Sequence, residues 1–428
     1  MNSSVALNWF ATACFFLAVM HTLLVSRFQS IAARFKPASS AWHLFHLLGE
    51  VEVSFGFWAT VYICGLGLAN GYGEAVRHLN SQNFTEPAFV FVIMSICSTR
   101  PILELAKGLI HHAARLVPGS RSRARFVATL TVGPLLGSAI TEPAAMTVTA
   151  LILFDEFFNK DVSPLFKYVS LGLLFVAVSI GGTLAPFAAP PVLMVARLWA
   201  WDFKFMLTNF GWKAALAIVA SVSLSAAFLK KEFIKLDGLK MDLPRETRKR
   251  PATPPWVWLA HAALLFLIIL VHTEAIVFLA IFMLFLGLYS ITQEYQDKLR
   301  LREGLMVAFF LGGIVVLGEP QQWWLAPLLK DLSPSSLFTG SILLTSFTDN
   351  AALTYLGTRI GDLTAQFQYA LVAGAVTGGG LTVIANAPNP VGYGILNDSF
   401  GPDGISPLKL AAAAAPFTLI AALAYWFL

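Results

Sequence analysis

Two short segments occur twice in this 428-residue chain, in the same order and at comparable separations. Thr141-Glu142-Pro143-Ala144-Ala145-Met146-Thr147 is echoed by Thr348-Asp349-Asn350-Ala351-Ala352-Leu353-Thr354. Gly181-Gly182-Thr183-Leu184-Ala185-Pro186-Phe187-Ala188-Ala189-Pro190-Pro191 is echoed by Gly378-Gly379-Gly380-Leu381-Thr382-Val383-Ile384-Ala385-Asn386-Ala387-Pro388. All four lie inside apolar runs. A carboxylate in the middle of a bilayer costs roughly 2.5–3.5 kcal/mol on insertion scales, so Glu142 and Asp349 read as cation or proton sites. Thr141, Ser138, Thr147, Thr345, Ser346, Thr348, Asn350, Thr354 and Asn386 add uncharged polar groups, most of them hard-oxygen donors. Where Gly181-Gly182 and Gly378-Gly379-Gly380 unwind, backbone carbonyls are expected to be freed as well. Such a donor set suits a small hard cation. The structural alternative is that the two acids pair with basic groups. It has little to work with, because the segment 127–157 contains no Lys or Arg and the segment 335–361 contains only Arg359, at its base.

The elements that must position these groups are membrane helices. Hydrophobic residues make up 57% of the chain and charged residues only 12%, about half the charged share of an ordinary soluble domain. The net charge of +5 comes from Lys and Arg spread over short loops. They act as topology signals rather than as a nucleic-acid footprint. Cys14, Cys64 and Cys97 sit alone in separate apolar stretches, are expected to be buried packing residues, and form neither a disulfide framework nor a zinc motif. No H-E-x-x-H, G-x-S-x-G or P-loop occurs, so hydrolase and ATP-driven pump chemistry has no motif to stand on. No cofactor is implied, and no metal beyond a transported cation.

The expected architecture is an all-α polytopic membrane protein with two inverted-topology repeats, re-entrant hairpins and broken transmembrane helices. Basic loops following the run at 6–26 place the N-terminus outside. Spans at 41–69 and 88–114 follow, then a hairpin at 127–157, a broken span at 164–196 and a span at 209–229. The hairpin settles a parity problem, since three apolar segments lie between two cytoplasmic basic loops. Pro143 disfavours a helix running through its tip. A cytoplasmic linker at 230–255 joins an N-terminal half, 1–229, to a C-terminal half, 256–428. The second half repeats the scheme upside down, with spans at 256–272, 274–294 and 303–318, a hairpin at 335–361, a broken span at 365–396 and a final span at 408–427. Both termini are then outside. Pro190, Pro191 and Pro388 beside the glycines favour helix breaks over plain packing seams.

Other polar residues in the apolar runs are less specific. Arg100 and Glu104 stand at i, i+4 and are expected to pair. Glu50 and Glu52 cannot share a helix face, and one of them is a candidate for a proton path. His43, His46 and Glu50 have the spacing of a metal face but lack a second cluster to complete it.

The repeated order of a polar hairpin tip followed by a Gly-Gly break ending in Pro resembles the ion transporter superfamily of sodium/proton antiporters, arsenite exporters and dicarboxylate/sodium symporters. The wording Thr141-Glu142-Pro143-Ala144-Ala145 with Thr348-Asp349-Asn350-Ala351-Ala352 is similar to the putative sodium/proton antiporter branch. The resemblance covers about Glu50 to Pro390. It implies a secondary transporter, not an enzyme, that exchanges Na+ or another small monovalent cation for H+ in a bacterial inner membrane. An anion carrier for arsenite or a carboxylate on the same scaffold is the alternative. The symporters carry Ser-Asn-Thr at the tips and Thr-Pro-Pro-Asn at the breaks, whereas this chain has acids at the tips, which oppose an anionic substrate. A homodimer is compatible with the sequence.

Overall fold

Apolar runs bounded by capping signals become helices throughout. Ser163-Pro164 and Ser333-Pro334 show the pattern: each serine side chain accepts a hydrogen bond from a backbone N–H in the first turn, and each proline occupies a position where its missing donor costs nothing. The computed structural model describes residues 3–238, 251–329, 332–361, 363–401 and 404–428.

Among the described residues six helices are long and apolar enough to cross a membrane: Ala6–Val25, Val53–Asn70, Pro164–Leu184, Phe203–Phe228, Leu301–Leu325 and Pro407–Phe427. Pro255–Leu270 and Ala275–Ile291 are shorter and apolar. Among the described residues there is no strand, and the chain is an all-α polytopic membrane protein.

Three expectations need correction. The span at 41–69 is two helices, Ser40–Leu48 and Val53–Asn70. Gly49 caps the first, and Glu50 and Glu52 fall in the gap between the two helices. The span at 88–114 is likewise Thr85–Cys97 and Arg100–Ala114, bent by 71°, because Pro101 removes a donor and disfavours helical backbone before it. Cys64 is exposed on the outer surface of its helix, while Cys14 and Cys97 are buried. Of the expected linker, Lys230–Gly238 is helical, and 239–250 lie outside the described residues.

Two packed groups of helices make the interior. Phe166, Phe175, Phe210 and Tyr425 belong to one, and Phe55, Phe89, Phe282 and Phe310 to the other. The helix Glu142–Leu153 gives Met146 and Ala150 to the first group and Ala144 and Val148 to the second. It is therefore wedged between them, which buries the polar residues at its start.

Candidate cation site

The first hairpin is formed by Arg121–Leu135, a short turn of helix at Gly137–Ile140, and the returning helix Glu142–Leu153. The chain reverses at Thr141, whose φ is +73° and ψ 154°. A side-chain-bearing residue rarely adopts this conformation, and such strain clusters at functional sites. The second hairpin pairs Pro334–Thr345 with Asn350–Gly357. Here Asp349 caps the returning helix, with Oδ1 accepting hydrogen bonds from the N–H groups of Ala351 (2.8 Å) and Ala352 (3.2 Å).

Both helices break at the expected glycines. Pro164–Gly181 passes through one tight turn, Gly182–Leu184, and helix resumes at Pro190–Ala196. Ala365–Gly378 stops, and Asn389–Leu396 resumes after Pro388. Each hairpin tip pairs with a break by the same bond. The N–H of Glu142 reaches the carbonyl of Ala188 at 3.4 Å, and that of Asn350 reaches the carbonyl of Ala385 at 3.1 Å.

The glycines repeat the correspondence. A Cβ on Gly182 would lie 2.6 Å from Glu142 Oε1, and one on Gly379 would lie 2.8 Å from Asn350 Nδ2. The structural counterpart of Glu142 is thus Asn350, and that of Asp349 is Thr141. The sequence echo, counted from the tip threonines, pairs Glu142 with Asp349. In the structure the second returning helix begins one residue later along that echo, because Asp349 serves as its cap.

Glu142 is fully buried, and its Oε2 accepts a hydrogen bond from Asn386 Nδ2 at 2.9 Å, across the two halves of the chain. At the hairpin tips and the breaks several buried polar atoms have no hydrogen-bond partner: Glu142 Oε1, Asn386 Oδ1, Thr141 Oγ1, Thr345 Oγ1 and both side-chain polar atoms of Asn350. Each such atom costs about 1–3 kcal/mol when left unsatisfied, so their concentration at the tips and breaks fits a site completed by a ligand. One carboxylate with amide and hydroxyl oxygens suits a small hard cation.

Several expected donors are otherwise engaged. The Gly181 carbonyl accepts from Ser138 Oγ (2.7 Å) and the Gly379 carbonyl from Asn389 Nδ2 (2.7 Å), so these freed carbonyls hold the breaks together. Gly378 and Gly380 give close approach to Ile342 and Val176. Thr348 Oγ1 bonds back to Leu344 O in its own hairpin. Pro190 and Pro191 open the resumed first helix, and Pro388 precedes the resumed second.

Glu50 is held at 3.3 Å by Arg302, with His46 at 3.8 Å. The helix carrying His43 and His46 ends at Leu48, so no continuous metal face forms with Glu50. Glu52 stands within electrostatic reach of Asp349, which stands within reach of Glu142. Arg100 and Glu104 pair at 2.6 Å as expected.

Sequence reasoning missed Ser179, whose hydroxyl donates to Val376 O (2.7 Å) and so joins the two broken helices. It also missed Lys213, which lies ten residues into the span Phe203–Phe228, well beyond Lys204 at its start, although a lysine in the apolar run 209–229 was a readable signal.

Discontinuous membrane helices whose broken ends meet around buried polar groups are the construction by which secondary transporters hold their ions. The chain belongs to the family described as "Putative Na+/H+ antiporter", whose model matches residues 6–428. That family is one of cation and proton transporters rather than enzymes. No curated protein matches the chain.

Proposed function

We propose that the protein exchanges Na+, or another small monovalent cation, for H+ by alternating access, with cation and proton competing for Glu142. The observation that carries this reading is the buried Glu142 carboxylate, one oxygen bonded to Asn386 of the other half and one without a partner. Ionised, it completes a cation shell with Asn386, Asn350 and Thr141. Protonated, it needs no cation. A carrier that changes sides only in one of these two states performs obligate exchange. Asp349 adds a second buried carboxylate and fixes the hairpin turn that presents Asn350. Glu52, whose charge acts on Asp349, is the candidate for a proton path from the surface, where Glu50 pairs with Arg302. No Lys or Arg stands at either hairpin tip, which disfavours the anion-carrier alternative.

In this reading 1–229 and 256–428 are inverted repeats of the ion transporter superfamily, joined by a cytoplasmic linker at 230–255. The chain lies in a bacterial cytoplasmic membrane with both termini outside, and a homodimer is compatible with it. Rocking of the hairpins and broken helices against the remaining spans supplies alternating access. Purified protein in liposomes containing a pH-sensitive dye should alkalinise or acidify the lumen when Na+ or Li+ is added, according to the direction of the cation gradient. Absence of a cation-driven pH change with Na+, Li+ and K+ alike would reject the proposal.

A further inference from the structure

We propose that Lys213, Tyr369 and Tyr425 are positioning residues that brace the first helix break against Glu142. The inference rests on the reading of Glu142 as the exchange site. An ionisable side chain inside a membrane span is costly and marks function by default, provided that its partner can be named. Lys213 lies within the span Phe203–Phe228. Its ammonium donates to the Tyr369 hydroxyl at 2.8 Å and lies 4.6 Å from the centre of that ring. Tyr369, on the second broken helix, donates in turn to the backbone carbonyl of Tyr425 at 2.6 Å.

Tyr425 is buried near the end of the last helix, and its hydroxyl meets Thr183 Oγ1 at 3.0 Å. Thr183 spends its own proton on the Ile180 carbonyl at 2.7 Å. Tyr425 must therefore be the donor in its bond to Thr183. The series ends beside Gly182, the residue that lies against Glu142 Oε1. Three elements thus fix the place where the first broken helix unwinds: the span bearing Lys213, the second broken helix and the last helix. The Tyr425 carbonyl interrupts the series as a proton path, because it is a backbone acceptor some distance from the Tyr425 hydroxyl. Its role is to hold the break, and through it the carboxylate, in one position.

The test uses the full-length chain with Cys14, Cys64 and Cys97 replaced by serine and Leu184→Cys as a reporter in the break. Tyr425→Phe and Lys213→Met should each raise the apparent KM for the cation by about three- to tenfold, the change expected for losing one buried hydrogen bond. Yield and melting temperature should stay near those of the parent, and Leu184→Cys should react faster with a small methanethiosulfonate reagent. Lys213→Arg, which keeps a donor, should restore both values. Parental KM and labelling in Tyr425→Phe and Lys213→Met would overturn the proposal. So would a loss of rate that follows the amount of folded protein at unchanged KM. If the parent shows no exchange at all, the cation reading fails, while the labelling rates still decide whether the brace exists.

Discussion

Glu142→Gln should abolish exchange while leaving the protein as stable as before or more so. The side chain is fully buried and one carboxylate oxygen lacks a partner, so its charge interacts in a medium far less screening than water. A carboxylate and a monovalent cation 4 Å apart gain about 4 kcal/mol at the effective dielectric of a protein site, against about 1 in bulk water. Losing about 4 kcal/mol weakens binding roughly a thousandfold. A cation bound at millimolar concentration would then need molar concentration. The Gln carbonyl can still accept from Asn386, so the packing survives, and removing an isolated buried charge relieves desolvation. The assay is cation-driven pH change in liposomes, read beside the melting temperature of the same preparation. Exchange at parental rate and pH dependence in Glu142→Gln would refute the assignment, and a variant that melts well below the parent would mark the acid as structural.

Gly182→Ala should stop exchange, since its Cβ would stand 2.6 Å from Glu142 Oε1 and 2.7 Å from Glu142 Cγ, whereas Gly287→Ala, with open space around it, should transport normally. Asp349→Ala should lower stability by about 1 kcal/mol through loss of the helix cap, and Asp349→Asn should melt like the parent and keep part of its exchange activity. On the linker helix, burial pushes the Asp237 carboxyl up, but hydrogen bonds from Ser120 and Ser122 outweigh it and hold the group below its ordinary range. The docking it supports is therefore complete above the unfolded value near about 3.9 and is lost as pH falls through the lower folded value. Because Phe233 and Leu236 stay buried in the same contact, proteolysis of Lys230–Gly238 should rise only slightly in that acid range, and Asp237→Ala should show the same slight rise at neutral pH.

The hairpins and breaks were legible because Pro143, Pro388 and the paired glycines are local signals: each proline disfavours helix running into it from the preceding residues, and each glycine weakens the helix it ends. The bend before Pro101 was equally local, but the apolar run around it masked it. The pairing of Glu142 with Asn350 was not legible, because it depends on which residue caps each returning helix, and Asp349 caps one while a strained Thr141 turns the other. The engagement of Gly181 O and Gly379 O was likewise hidden. It follows from Ser138 and Asn389 arriving from other segments, and contacts of that kind leave no periodic trace in the sequence.

In the proposed mechanism cation and proton compete for one carboxylate. Exchange rate should be measured across pH at Na+ concentrations spanning a thousandfold range, equivalent to about 4 kcal/mol of binding free energy. Bound Na+ stabilises the ionised carboxylate, so more acid is needed to protonate it, and the reciprocal linkage requires the profile to move toward lower pH as Na+ rises. A pH profile that stays in place over the whole Na+ range would contradict a shared site.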